Sequence, residues 1–288
     1  MRFTLEIEPL DLDLTLGCGQ VFRWSRTGRG DWIGPIGRHL VTLGWENGRL
    51  SVSAQPGETR MPARVSEFLR ASDDIMEIQS TLSGDSVLSS GLERFRGLRI
   101  VKMDEWECLA SYVLATYANI PRIAKMIDEV SMRFGHEIVD GVRSFPSPSD
   151  LREASVGELQ KCGLGYRAKY LHSISRCIDR AEIRRLKLLE YRDLRRELMT
   201  LPGVGEKVAD CVSLFGFGKL DAFPIDVWIE RAISRLFNLE GSYKTIRGFA
   251  TQRWGDFAGY AQEYLYFNER ALAKSSGCEF SRCAQDQG

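Results

Sequence analysis

The feature that most constrains this chain is a change of hydrophobic period near Pro62. Before it, short runs such as FTLEIEPL, QVFRW, HLVTLGW and RLSVSA alternate polar and apolar side chains, as strands with one buried face do. Thr27-Gly28-Arg29-Gly30 and Glu46-Asn47-Gly48 separate them as hairpin turns, so residues 1 to about 55 predict an antiparallel sheet. After Pro62, VSEFLRASDDIMEIQSTL and a stretch ending in LERFRGLRI repeat at helical spacing, with Ser83-Gly84-Asp85 as a linker between them. Beyond Asp104 nearly every segment reads as helix, from WECLASYVLATYA to WGDFAGYAQEYLYFNERALA. The expected fold is α+β: an N-terminal domain, residues 1–98, with an antiparallel sheet and flanking helices, then a larger all-helical domain, residues 99–288. A chain of 288 residues is long enough for two such cores.

Charge and cysteine usage limit the functional classes. Lys+Arg and Asp+Glu both number 39, so no global basic field draws the chain to nucleic acid, and any phosphate site must be local. Few ionic phosphate contacts imply a modest salt dependence of binding. Seven scattered cysteines, an odd number, suit free thiols in a reducing compartment rather than a disulfide framework. Cys278 and Cys283 form a C-x4-C pair without nearby histidines, which is poor zinc spacing, so no metal is expected in catalysis. The acidic N-terminus MRFTLEIEPLDLDL has no long apolar run, and neither a signal peptide nor a membrane span is read from the chain. The expected location is intracellular: cytoplasm or nucleoid in a prokaryote, nucleus in a eukaryote.

The most informative stretch is LRRELMTLPGVGEKVADCVSLFGFGKLDAFPIDVWIERAISRLF, Leu194 to Phe237. Leu201-Pro202-Gly203-Val204-Gly205 is a tight turn between two helices, the hairpin covering about residues 191–217. Its following helix would aim unpaired amides at one spot, a phosphate site that needs no basic side chain. A lone G-x-G is more often only a corner between core helices. On the second helix Val208, Cys211, Val212 and Phe215 fall at i, i+3, i+4 and i+7, which predicts a buried stripe. Lys207 adjoins that stripe, so partial desolvation and the helix dipole are both expected to favour a neutral, nucleophilic amine. The plain alternative is a surface lysine. Asp226 stands at an N-cap position before the apolar stripe Val227, Ile229, Ile233, Leu236 and Phe237, and a carboxylate held by amides there stays ionised.

L-P-G-V-G-x-K-V-A-D-C followed by P-I-D-V resembles the helix-hairpin-helix DNA glycosylase superfamily, and more narrowly its 8-oxoguanine branch. Further segments match that branch in the same order: Leu16-Gly17-Cys18-Gly19-Gln20-Val21-Phe22-Arg23-Trp24, Cys108 to Arg122, Gly163 to Tyr170, and Phe257 to Gln262. The resemblance implies an N-terminal sheet of the TATA-binding-protein type, no cofactor, and a monomer acting on double-stranded DNA that contains 8-oxoguanine. It implies base excision repair, with Lys207 attacking the sugar C1′ to form a Schiff base and β-elimination nicking the strand. Asp226 is then the carboxylate that stabilises the developing cation.

By the same resemblance the carbonyl of Gly19 reads N7–H of the damaged base, Gln262 reads its Watson–Crick edge, and Cys211 and Tyr266 sandwich the ring, with Phe215 in the pocket wall. Tyr266 stands where the family usually has phenylalanine, and Phe215 where methionine is common. Tyr166 is the implied wedge, and Arg122 and Arg167 grip the orphaned cytosine. Gly203, Val204 and Gly205 hold a phosphate. Two departures follow: Tyr117-Ala118-Asn119 replaces a run of asparagines, which would relax the preference for cytosine, and Trp228 replaces a phosphate-contacting histidine. The iron–sulfur cysteines of the endonuclease III branch are missing. Two other classes stay open to the residues: a monofunctional alkyl-base glycosylase of the same fold, against which Lys207 speaks, and a non-catalytic helix-hairpin-helix DNA-binding protein.

Overall fold

The computed structural model describes residues 1–275; Cys278 and Cys283 lie outside the described residues. Five strands, β1 (Arg2–Leu5), β2 (Ser25–Arg26), β3 (Trp32–Ile36), β4 (His39–Glu46) and β5 (Arg49–Gln55), form one antiparallel sheet in the order β1-β5-β4-β3-β2. The β4–β5 turn places Asn47 at φ 51° and Gly48 at φ 76°, the paired left-handed conformation that Asn-Gly supplies to two-residue hairpins. Along β5, Leu50, Val52 and Ala54 are fully buried while their neighbours are not, so the period of two sets the core face. Helix Met61–Phe68 covers that face with Met61, Val65 and Phe68.

One expected run does not form a strand. In QVFRW the chain leaves the sheet: Phe22 enters the helical core edge-on to Tyr112, at 5.5 Å between ring centres, and Trp24 stacks on Phe68 at 5.1 Å. The two cores also do not divide at residue 98. Helices Ile75–Leu82 and Ser89–Arg94 bury their apolar faces in the helical core, whereas Leu69 and Val101 belong to the sheet core. Sequence order is therefore a poor guide to which core a flanking helix joins.

The helical core is built around Glu105–Leu114, buried on almost every side, against which Arg167–Cys177 and Glu206–Phe215 pack. Strands β6 (Glu137–Val139) and β7 (Val142–Arg143) interrupt the helical run, and Asp140-Gly141 makes their turn with Gly141 at φ 75°. At the junction of the two cores Arg99, 1% exposed, donates to the carbonyls of Pro9, Glu8, Arg70 and Asp73. Gln20 bridges the same junction, donating to Arg99 O at 3.0 Å and accepting from Val101 N–H at 2.8 Å. The Cys18–Gln20 loop is thereby fixed to the Arg99–Val101 segment at the junction.

Candidate active site

The Leu201–Gly205 turn joins helices Tyr191–Leu198 and Glu206–Phe215. Gly203 is required there twice: its φ is +82°, and a Cβ would lie 2.6 Å from the Tyr170 ring. Gly205 is the N-cap of the second helix and makes no side-chain cap bond, so the first-turn amides of Glu206, Lys207 and Val208 have no partner within the helix. A buried network fixes this helix from below. Asp210 accepts from Tyr191 Oη at 2.8 Å, Arg195 Nε at 2.8 Å and Tyr243 Oη at 2.7 Å, and Arg195 also pairs with Glu206 at 2.9 Å. Tyr243 Oη in turn accepts from the amide of Ile225 at 3.1 Å, one residue before Asp226. The hairpin helix and the Asp226 turn are therefore positioned by one hydroxyl.

Val208, Cys211, Val212 and Phe215 form the expected buried stripe, but Lys207 is exposed. The partial burial expected of it is not found, because a first-turn side chain leans back toward the helix N-terminus and away from the core beneath the stripe. Asp226 caps helix Val227–Phe237, its Oδ1 accepting from the amides of Trp228 and Ile229, each at 3.0 Å. Its second oxygen takes no part in those bonds. Lys207 and Asp226 both act on Cys211: burial pushes that thiol up to about 12, Lys207 opposing the shift and Asp226 adding to it. Lysine, aspartate and Cys211 thus share one electrostatic neighbourhood.

The opposite wall comes from the sheet domain and from helix Ala258–Ser275. Gly19 has φ +100°, and a Cβ on it would lie 2.8 Å from Ile120. Of the three carbonyls in its loop, Cys18 O accepts from Arg270 Nη1 at 2.9 Å and Gln20 O from Tyr112 Oη at 3.3 Å. The Gly19 carbonyl between them has no partner among the described residues. Gln262, on helix Ala258–Ser275, is 5% exposed, and its buried Oε1 has no hydrogen-bond partner among the described residues. Tyr266 is half-buried under Arg270, which lies 5.3 Å from its ring centre, and burial raises its phenol well above the ordinary range. Phe215 stacks on Tyr112 at 5.7 Å.

The residues that the resemblance assigns to the orphaned base are also brought together. Tyr117 is 89% exposed at φ 51°, and Tyr166 is half-exposed, edge-on to Tyr170 at 6.0 Å. Arg167 is buried rather than extended to solvent: its guanidinium lies 4.6 Å from the Tyr166 ring and donates to the carbonyls of Thr116 and Tyr117. In this structure it holds the Tyr117 turn. Arg122 is exposed, and Asn119 caps helix Ile120–Phe134 by accepting the Arg122 amide at 3.0 Å. Trp228, half-buried, stands beneath Arg231 at 5.8 Å.

Sequence reasoning did not single out Tyr170, Asp210, Tyr243, Glu263 or Arg270. For Asp210 and Glu263 a signal exists, an acidic residue inside an apolar helical stripe. The others are found only through tertiary contacts. A separate cavity of about 250 Å³, lined by Arg23, Trp24, Glu67, Lys102 and Glu107 among others, lies between the two cores and away from Lys207. Among the described residues no helix is long and apolar enough to cross a membrane. No group of three His, Cys, Asp or Glu side chains among them could hold a metal ion.

Residues 2–109 match the family model of the 8-oxoguanine DNA glycosylase N-terminal domain, and residues 110–255 that of the HhH-GPD superfamily of base excision DNA repair proteins. The chain is 33% identical to the N-glycosylase/DNA lyase OGG1 of Arabidopsis thaliana, over 95% of this chain and 81% of that protein. Its fold matches MBOgg1 in complex with a low-affinity DNA ligand at TM-score 0.87 and 30% identity, covering 95% of this chain and 99% of that one. It also matches the Clostridium acetobutylicum 8-oxoguanine glycosylase/lyase, in complex with duplex DNA bearing cytosine opposite 8-oxoG, at TM-score 0.87 and 29% identity, covering 94% and 98%. With residues 2–255 matched in order by the two family models and 95% of the chain superimposed on MBOgg1, the chain belongs to the 8-oxoguanine DNA glycosylase family of helix-hairpin-helix base excision repair proteins.

Proposed function

We propose that this protein is a bifunctional base excision repair enzyme, removing 8-oxoguanine from duplex DNA and cleaving the strand at the resulting abasic site. The observation that carries the reading is the occurrence together of an exposed lysine at a hairpin helix without a side-chain cap, a helix-capping aspartate, and a Gly19 carbonyl unpartnered among the described residues. The hairpin amides hold a phosphate on the damaged strand and bring the sugar to Lys207. The base leaves the stack because C1′ cannot be reached inside it. Tyr166 fills the gap, Tyr117 and Arg122 meet the orphaned base, and Arg167 keeps Tyr117 in place.

In the chemical step Lys207 Nζ, its proton passed by way of Asp226 to solvent so that Asp226 is again ionised, bonds to C1′ while the C1′–N9 pair departs with the base. Opening of the sugar ring gives the Schiff base. Loss of a C2′ proton then expels the 3′ oxygen with its phosphate, nicking the strand. Asp226 offsets the positive charge that grows at the sugar. Selection follows from one atom: at N7, 8-oxoguanine presents a donor to Gly19 O, whereas guanine presents a lone pair. That unmade contact costs guanine about 1–3 kcal/mol.

The test is borohydride reduction during turnover of an 8-oxoguanine duplex. A covalent protein–DNA complex is expected with the natural protein and none with Lys207→Gln, which should still bind the duplex. Trapping by Lys207→Gln would overturn the assignment of the nucleophile. A protein that releases the base but never becomes trapped would be a monofunctional glycosylase.

A further inference from the structure

Glu263 is the acidic group in this site that the reading above does not use. It lies on helix Ala258–Ser275 beside Gln262, is 4% exposed, and its Oε2 has no hydrogen-bond partner among the described residues. At 100° per residue, Gln262, Tyr266, Arg270 and Glu263 fall within one arc of that helix, the arc that meets the Cys18–Gln20 loop through Arg270. The titratable groups that interact with it come from five places: Asp226 from the turn after the hairpin, Cys211 from the hairpin helix, Cys18 from the sheet domain, Tyr112 from the central helix, and Tyr266 and Arg270 from its own helix. Arg270 is the only cation among them, and its Nη1 is committed to Cys18 O and Tyr266 Oη.

A carboxylate buried without donors beside a second carboxylate is strongly disfavoured, so the stable form here is the neutral acid. Burial first, and Asp226 next, lift Glu263 to about 8, with Arg270 opposing. A neutral acid differs from the two unpaired oxygens on this wall in what it offers. Gln262 Oε1 and Gly19 O are acceptors, whereas Glu263 carries a donor hydrogen.

We propose that Glu263 is a further specificity-determining residue of the base pocket, a neutral carboxylic acid that donates a hydrogen bond to a carbonyl oxygen of the extruded oxopurine. The inference rests on the functional reading given above. Together the site then offers an acceptor for N7–H and a donor for a carbonyl, which is the pairing an oxidised purine presents. Ionisation removes the donor and sets a second negative charge beside Asp226.

The test is single-turnover base release from an 8-oxoguanine duplex between pH 6 and 9.5, with the natural protein, Glu263→Gln and Glu263→Ala. The natural protein should lose activity as pH rises through about 8. Glu263→Gln, which keeps a donor and cannot ionise, should lack that decline. Glu263→Ala should lose about tenfold in the single-turnover rate of base release at pH 7, with glutamine restoring most of what alanine removes. Difference infrared spectra of the natural protein against Glu263→Gln should show a protonated carboxyl band at pH 7 that disappears at pH 9. The same alkaline decline in Glu263→Gln, or no protonated carboxyl at pH 7, would overturn the proposal while leaving the glycosylase reading intact. If the natural protein releases no base at any pH, the glycosylase reading fails, and the role of Glu263 with it.

Discussion

At Asp226 one side chain serves two needs. Oδ1 caps helix Val227–Phe237 through two amides, and the same bonds aim the carboxylate toward the Lys207 neighbourhood. The two needs separate by substitution, since asparagine caps a helix as well as aspartate but carries no charge. Asp226→Ala should lower stability by about 1 kcal/mol and reduce covalent trapping. Asp226→Asn should stay within about 0.5 kcal/mol of the natural protein in urea denaturation yet trap about 100-fold more slowly. Equal trapping by Asp226→Asn would leave the carboxylate with a capping role alone. The residue pattern predicted the cap, because an Asp directly before an apolar helical stripe announces one. It marks Glu263 only as an acidic residue inside an apolar stripe, whose meaning depends on which side chains from four other elements face it.

The hairpin makes the same point one level up. Its two glycines look alike in sequence, but the backbone distinguishes them. Gly203 is held at φ +82° against Tyr170, whereas Gly205 has an ordinary negative φ and open space at its Cβ position. Gly203→Ala should therefore cost about 2 kcal/mol or more, from left-handed strain and the clash with the ring. Gly205→Ser should hold or slightly raise stability, because serine is a good N-cap, while weakening duplex binding by taking an amide that a phosphate would otherwise use. Thermal unfolding and fluorescence anisotropy on the two variants check this, and unchanged duplex affinity for Gly205→Ser would argue against a phosphate at that helix. Most helices were legible as elements from their period. The Val21–Trp24 run was not, because its aromatic side chains are shared between two cores rather than alternating across one sheet.

At the scale of the molecule, the site is assembled where the two cores meet. Gly19 comes from one core, Lys207 and Asp226 from the other, and Arg99 and Gln20 hold the seam. Sequence order foretold an α+β chain with a hairpin late in it, but not that helices Ile75–Leu82 and Ser89–Arg94 would join the helical core. A balance of 39 basic and 39 acidic residues is compatible with a duplex-binding face because the hairpin supplies amides rather than net charge.

The buried acid at Glu263 also ties the whole fold to the proton concentration. Unfolded, its carboxyl ionises near the ordinary 4.5; folded, it ionises near 8. Between those values the native state holds a proton that the unfolded chain has released, so folding takes one up. Stability from this residue alone then falls with rising pH across that window, by about 1.4 kcal/mol per pH unit, and levels off above it. Glu263→Gln should remove that slope, giving a variant that gains on the natural protein from pH 5 to pH 8 in urea titrations. A parallel loss in both proteins would mean that the carboxyl is not kept neutral by the fold. The enzyme's preferred range would thus be set by a linked proton in its core as much as by the pH demands of its chemistry.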